Sequence, residues 1–177
     1  MSCPIVSGVT KACRDSKGGL TTIYVTEHSN LIQASITSAS GILTNVATFL
    51  NTGKKFWTVE VEMNVGNEIE TINHDRPTGT LAYAQALSFY IPKKQASIAQ
   101  WVMTLAQNDL AFIVLDKNGY YRLLGQKYGM GISASTAPSG TNMTGEQSGY
   151  VLSFAGEEPV LANEMGASLV AAVLVAA

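Results

Sequence analysis

The stretch AFIVLDKNGYYRLLG, residues 111–125, constrains the fold of this chain more than any other segment. Two apolar runs flank Asp116-Lys117-Asn118-Gly119, and the second run ends in a glycine. Asn-Gly tolerates the positive φ angles of a tight type I′ turn, which joins two antiparallel strands. The segment therefore predicts a β-hairpin.

Most of the remaining chain also has the pattern of β-strands. Residues 20–28 are rich in β-branched and aromatic side chains, and further strands are predicted at 79–92 and 150–156. A weaker alternation extends over 30–46. In the segment 79–92, large side chains fall on one face and Ala and Ser on the other, so another layer could approach the small face closely. Pro92 ends this run.

One helix is predicted within residues 93–109. Ile98, Trp101, Val102 and Leu105 follow the i, i+3, i+4, i+7 spacing of a helical stripe, which could pack within the subunit or across a subunit boundary. The order of strands, one helix and more strands predicts a mainly β fold, an antiparallel β-sandwich or barrel with one flanking α-helix. A chain of 177 residues fits one domain.

A second hairpin is predicted from KFWTVEVEMNV (55–65) and EIETINHD (68–75). Pairing these segments would give one buried face and one acidic face. Four carboxylates would then crowd together, those of Glu60, Glu62, Glu68 and Glu70. Such a face could be solvated, could repel a polyanion such as DNA, or could supply the carboxylate pair of a glycoside hydrolase.

The chain has fewer charged residues than an ordinary soluble domain. They make up 14% of the sequence, against roughly 25% in typical domains. A surface of Thr, Ser, Asn, Gln and Gly costs little to desolvate, so it suits burial against other protein as well as a compact uncharged domain. The net charge of −2 excludes a strongly basic nucleic-acid footprint.

The sequence predicts no catalytic residue, cofactor or metal site. His28 and His74 each adjoin an acidic residue, but neighbours in a strand point to opposite faces. The glycine-rich segments lack the ending of a phosphate-binding loop. Cys3 and Cys13 match neither a zinc nor a CxxC spacing, so two free thiols and one disulfide both remain open.

The C-terminal stretch GASLVAAVLVAA is apolar from Ala167 to Ala177 apart from Ser168. Spanning a bilayer takes about 20 residues in a helix, so no membrane insertion is expected, and no secretory signal is visible. We expect the tail to be buried, either in its own domain or on a neighbour.

Three stretches resemble tail tube and related virion structural proteins of tailed phages, especially phages of Bacteroidetes. They are CPIVSGVTKACRDSKGGLTTIYV (3–25), VLDKNGYYRLLGQKYGM (114–130) and TGEQSGYVLSFAGEEPVLANEM (144–165). The resemblance implies a β-sandwich or barrel with a flanking helix. It also implies subunits that form rings, commonly hexameric, which stack into a tube whose lumen conducts DNA without specific binding.

The resemblance suggests roles for particular segments. It implies a virion tail protein that assembles in the host bacterial cytoplasm with copies of itself and with other tail proteins. The lumen of such a tube is generally acidic, and the candidates for its lining are Glu60, Glu62, Glu68 and Glu70. The N-terminal segment (about 1–19), the loop 137–149 and the C-terminal tail (about 158–177) are candidate assembly arms. Candidate subunit contacts are Ile98, Trp101, Val102, Leu105, Leu169, Val170 and Val173.

Two functions from other classes compete with this expectation. One is a carbohydrate-binding β-sandwich module, of the fibre or lectin-like kind, which would expose aromatic platforms. Candidates for these platforms are Trp57, Tyr90, Trp101, Tyr120, Tyr121 and Tyr128. The other is a small β-barrel hydrolase that uses the glutamates.

Overall fold

Two β-sheets make up most of the structure. The computed structural model describes residue 8 and residues 16–45, 49–61, 65–144 and 146–174. These residues form eleven strands and two helices. In chain order they are β1 (Leu20–Glu27), β2 (Thr37–Ala39), β3 (Ile42–Asn45), β4 (Trp57–Val59), β5 (Asn67–Asp75), β6 (Thr80–Pro92), α1 (Ala96–Ala106), β7 (Leu110–Asp116), β8 (Tyr121–Leu124), β9 (Gly131–Thr136), β10 (Gly149–Glu158), β11 (Asn163–Met165) and α2 (Ala167–Val173).

The strands divide into a seven-stranded and a four-stranded sheet. The first has the order β2-β3-β11-β8-β7-β1-β4 and the second the order β5-β6-β10-β9. Their described pairs are antiparallel except β11 with β3, which is parallel. The predicted mainly β sandwich with a flanking helix is confirmed. A second helix, α2, forms in the apolar tail, where composition did not decide between helix and strand.

The two sheets pack face to face over a first apolar core. Phe89 and Phe154 of the small sheet meet Phe112 of the large one, and the ring centroids of Phe112 and Phe154 are 4.9 Å apart. Helix α1 adds Val102 and Leu105 to this core. The predicted helical stripe therefore packs largely within the subunit.

A second core covers the opposite face of the seven-stranded sheet. Strand β7 contributes to both cores because its side chains alternate, with Phe112 and Val114 facing the first core and Ala111 and Ile113 the second. Helix α2 closes this second core with Val170 and Val173. Burying each valine contributes about 1.5–3 kcal/mol, which explains why the tail packs on its own domain.

The hairpin at 111–125 forms as predicted, but the type of its turn was predicted wrongly. Strands β7 and β8 pair with Leu115 opposite Tyr121. Gly119 has a φ of 89°, whereas Asn118 is not among the residues with positive φ. The N–H of Gly119 donates to the carbonyl of Asp116 at 3.2 Å, so the connection is a type I turn followed by a left-handed glycine.

The side chain of Asp116 holds this turn together. Its Oδ1 accepts hydrogen bonds from the N–H groups of Asn118 and Tyr120, both at 2.9 Å. The backbone N–H of Lys17 in turn donates to Oδ1 of Asn118 at 2.7 Å. The turn therefore also anchors the chain just before β1.

The second predicted hairpin is wrong. Strand β4 pairs with β1 in the large sheet, whereas β5 pairs with β6 in the small one. The segments share an alternating pattern, but their apolar sides join different sheets. Glu60 therefore does not share one acidic face with Glu68 and Glu70.

Close backbone packing explains several of the glycines. Gly129 has a φ of 84°, which L side chains rarely adopt. A Cβ atom at Gly156 would lie 2.5 Å from the carbonyl oxygen of Gly129. The segment 125–131 therefore passes against β10 at a distance that only glycine allows.

Candidate functional site

Glu68 on β5 is buried between the sheets. Its side chain is 3% exposed, and its Oε2 lies 2.8 Å from Nη2 of Arg122 on β8. Neither carboxylate oxygen has a well-aligned hydrogen bond, and neither has Nε of Arg122. Burial raises the pKa of Glu68 to about 7; the Arg122 guanidinium opposes this shift, and the carboxylates of Glu70 and Asp116 add to it. The ion pair thus links the two sheets in a poorly solvated place.

Glu70 also points inward and joins a polar network. Its Oε1 accepts hydrogen bonds from Nε2 of Gln85 at 3.3 Å and from the N–H of Ala162 at 2.7 Å. Oε1 of Gln85, a residue only 2% exposed, accepts from the N–H of Gly125 at 2.9 Å. These contacts connect β5 and β6 to loops that flank β8 and β11.

The structure places Glu60 apart from Glu68 and Glu70, which are three of the glutamates predicted to line a lumen. Glu68 and Glu70 make interior contacts, so neither presents a carboxylate on the outer face of the small sheet, and a lumen-lining role for them stays a prediction. Glu60 is exposed beside β4, and Glu62 lies outside the described residues. The hydrolase interpretation gains no support either, because Arg122 pairs with Glu68, while Gln85 and the backbone N–H of Ala162 donate to Glu70.

Small, uncharged side chains make up most of the outer face of the four-stranded sheet, and the exposed Glu157 of β10, opposite Ala84, adds a negative charge to it. One row across it contains Asn67, Ser88, Ser153 and Ala134, and the next contains Ile69, Ala86, Ala155 and Gly131. Ile69 is 52% exposed in this second row, while its neighbours Glu68 and Glu70 point inward. At this point β5 turns an apolar side chain to water and its carboxylates to the interior, the opposite of the usual arrangement in a half-buried strand. The alternation predicted for 79–92 is confirmed, because Leu87 and Phe89 are buried and Ala86 on the other face is exposed; Tyr90, predicted on the same face as Ala86, is only 7% exposed.

Strands β5 and β6 extend beyond the rest of their sheet. The pairing of β6 with β10 ends at Tyr83, so residues 72–82 form a projecting hairpin. Ile72, His74 and Leu81 lie on its inward side, and the two apolar side chains, Ile72 and Leu81, are 59% and 51% exposed. The other side carries Asn73 and Thr80. The projecting hairpin is therefore amphipathic, and no part of the described chain covers its apolar side.

A groove of about 770 Å³ lies between α1 and the β1–β4 edge of the large sheet. We call it the tryptophan groove, because both tryptophans of the chain, Trp57 and Trp101, line it. Trp57 is 57% exposed, and Nζ of Lys55 lies 4.9 Å from the centroid of its ring. Val59 and Leu105 contribute apolar surface, and polar side chains complete the lining.

The predicted subunit contacts fall into two groups. Val102, Leu105, Val170 and Val173 are buried in the two cores of their own chain, so the structure assigns them to the interior instead. Ile98, Trp101 and Leu169 are only partly buried, and a contact role for them stays a prediction.

The structure describes the predicted assembly arms only in part. Cys3 and Cys13 of the N-terminal segment lie outside the described residues. In the loop 137–149, the carboxylate of Glu146 accepts hydrogen bonds from Thr141 and Asn142, which lower its pKa.

The described helices include none that is long and apolar enough to cross a membrane. Within the same residues, no three His, Cys, Asp or Glu side chains come together as a metal site.

Sequence reasoning did not single out the projecting hairpin or the groove. Ile69 and Ile72 fall on opposite faces of one strand, and apolar residues on both faces indicate that both faces contact something. That signal was present in the sequence. The groove had no comparable signal, because Trp57 and Trp101 come from separate elements.

No family model matches this chain, and neither a curated protein nor a solved structure is significantly similar to it.

Proposed function

We propose that this protein is a structural subunit that assembles with copies of itself into rings, which stack into a tail tube of a phage virion. The resemblance of three segments to tail tube proteins supports this proposal. So does a fold whose described part has a solvent-exposed apolar arm and a sheet face with few charges. The subunit would act without catalysis, beside other tail proteins, after assembly in the host bacterial cytoplasm.

The projecting hairpin carries the proposal. Its sequence alternates as a half-buried strand should, yet Ile72 and Leu81 remain more than half exposed. Covering such side chains gains about 1 kcal/mol each, and contiguous exposed apolar surface marks interaction sites. The hairpin is therefore built to lie on another molecule.

A second copy of the chain is the partner that fits best. Strands β5 and β9 are the two outer strands of the small sheet, and neither has a further partner among the described residues. Pairing β5 of one subunit with β9 of the next is a heterologous contact, which closes into a ring when the rotation allows it. The projecting hairpin would then lie along the neighbouring subunit.

In such a ring, the outer face of the small sheet would line the lumen. This assignment replaces the acidic lining, because Glu68 and Glu70 face the other way. The small polar and apolar side chains of this face offer DNA no positive charge, and the exposed Glu157 adds a negative one. Passage without specific binding would then come from a nearly uncharged surface that carries a carboxylate at Glu157.

Introducing charged side chains on the apolar side of the projecting hairpin tests the proposal. We expect the wild-type protein to form rings or tubes in negative-stain electron microscopy and to sediment as an oligomer. The double variant I72D/L81D should weaken association at least about tenfold, because the contact would have to desolvate two carboxylates. Its circular dichroism should match the wild type, since both side chains are exposed.

The variant T71D is the matched control. Thr71 lies on the same strand but on the opposite face, so its carboxylate should leave assembly intact. Equal loss of assembly in T71D and I72D/L81D would contradict the assignment of the contact face. A wild-type protein that stays monomeric at every concentration tested would refute self-assembly.

A further inference from the structure

We propose that the tryptophan groove binds an uncharged saccharide, stacked on the indole rings of Trp57 and Trp101. This binding activity goes beyond the proposed structural function. No residue of the projecting hairpin lines the groove, so the two proposals rest on different parts of the molecule.

The two indole rings supply the apolar contact that a sugar ring needs. Trp57 comes from the edge strand β4 and Trp101 from α1, so the rings belong to elements on either side of the groove. The axial C–H groups of a glucose-type pyranose form an apolar face that packs on a flat aromatic ring. Aromatic side chains with a polar edge suit ligands that are apolar on one side and hydrated on the other.

Lys55 leaves room for such stacking and also orders the platform. Its ammonium group approaches one face of Trp57 at 4.9 Å, an interaction worth about 0.5–1 kcal/mol at an exposed site. The indole remains 57% exposed, so surface is left for a ligand. A ring held in this way loses less conformational freedom when a ligand binds.

The charges of the groove favour a neutral ligand. Lys54 and Lys55 are balanced by Glu27 and Glu60, and these four are the ionisable side chains among its lining residues. A nucleic acid would meet both carboxylates, and an acidic peptide would gain no net attraction. A saccharide carries no net charge, and its hydroxyl groups can both donate and accept hydrogen bonds. The carboxylates of the groove can accept from these hydroxyls, and the ammonium groups can donate to them.

The polar groups also argue against a purely apolar occupant. Asn30, Thr104 and Asn108 lie in the lining with Val59 and Leu105. These three side chains donate one hydrogen bond each within the chain, to Thr26, Gln100 and Thr104. An apolar peptide segment would leave their remaining polar atoms without partners, at a cost of about 1–3 kcal/mol for each group. The volume of about 770 Å³ falls within the range of small-ligand sites and suits a short oligosaccharide.

The chain carries a built-in reporter for this site. Its two tryptophans both line the groove, so tryptophan fluorescence excited selectively at the red edge reports on the groove. We expect titration of the full chain with cellotriose or N-acetylchitotriose to change this fluorescence saturably. The variant W57A should weaken binding at least about tenfold, because it removes the exposed platform.

Y128A is the matched control, because Tyr128 is 64% exposed and lies outside the groove. It should bind as the wild type does, and so should the assembly variant I72D/L81D. The proposal is overturned if neither trisaccharide shifts the fluorescence and a glycan array stays blank. It is also overturned if W57A and Y128A bind equally well, or if only charged glycans bind.

Loss of saccharide binding would leave the assembly result unchanged, and loss of assembly would leave the binding result unchanged. The two proposals can therefore fail separately.

Discussion

Replacing Glu68 by glutamine tests whether a buried carboxylate makes this fold less stable at neutral and alkaline pH. Burial raises the pKa of Glu68 from 4.5 to about 7. The folded protein therefore holds a proton on Glu68 at pH values where the unfolded chain has released it. Stability is greatest at the acid end of this window and falls as the pH rises through 7.

The size of the effect follows from the shift. Each pKa unit corresponds to about 1.4 kcal/mol, so ionising Glu68 in the fold costs about 3 to 4 kcal/mol well above pH 7. Between pH 5 and pH 8, the free energy of unfolding of E68Q minus that of wild type should rise by about 2 to 3 kcal/mol. Because the two proteins differ only at residue 68, the difference in their free energies of unfolding isolates the contribution of Glu68.

Urea unfolding followed by circular dichroism at pH 5, 6, 7 and 8 measures this difference, at protein concentrations low enough to keep the chain monomeric. The control E157Q removes a carboxylate that is exposed on β10. Its difference from wild type should change little over the same range. A difference between E68Q and wild type that stays flat from pH 5 to pH 8 would refute the reasoning.

Replacing Arg122 should change the pH dependence of stability in the direction opposite to E68Q. Its guanidinium is the group that lowers the pKa of Glu68. R122M should therefore destabilise the protein more at pH 8 than at pH 5, by up to about 3 kcal/mol, because the charged carboxylate would be left buried and unpaired. Equal destabilisation at both pH values would mean that Arg122 contributes packing only.

Three further substitutions test the packing of the fold by urea unfolding. G156A should cost more than about 2 kcal/mol because its Cβ would meet a backbone oxygen at 2.5 Å, whereas G131A, with open space around it, should change stability by less than about 0.5 kcal/mol; similar values would contradict the close approach. D116A should cost about 1–2 kcal/mol, because two backbone N–H groups of the turn lose their acceptor; an unchanged midpoint would show that water replaces it. V170D should destabilise by more than about 3 kcal/mol and A171D, at an exposed position of α2, by far less; equal effects would mean that α2 does not close the second core.

Local patterns predicted the elements better than they predicted their partners. The hairpin β7–β8, the strands β1, β6 and β10 and the helix α1 all follow from runs whose period and turn residues agree. The turn of the first hairpin was misjudged because Asp116 accepts two N–H groups and so favours a type I turn before Gly119. Asn-Gly is compatible with both turn types, and the side chain that decides lies two residues earlier.

Strand partners depend on contacts that the local sequence does not contain. Two neighbouring alternating strands form a hairpin most often, yet β4 and β5 belong to different sheets. The inward direction of Glu68 was equally hidden, because its partner Arg122 lies 54 positions away in the sequence. A carboxylate in a strand predicts a solvated face unless the residue that neutralises it is known.

Strand β11 has a consequence for how this protein is made. It lies between β3 and β8, so residues 163–165 join parts of the large sheet that are synthesised much earlier. Until the ribosome releases them, β3 and β8 keep unpaired backbone edges in the nascent chain. Translation products that end before β11 should therefore be recognised by chaperones and proteases.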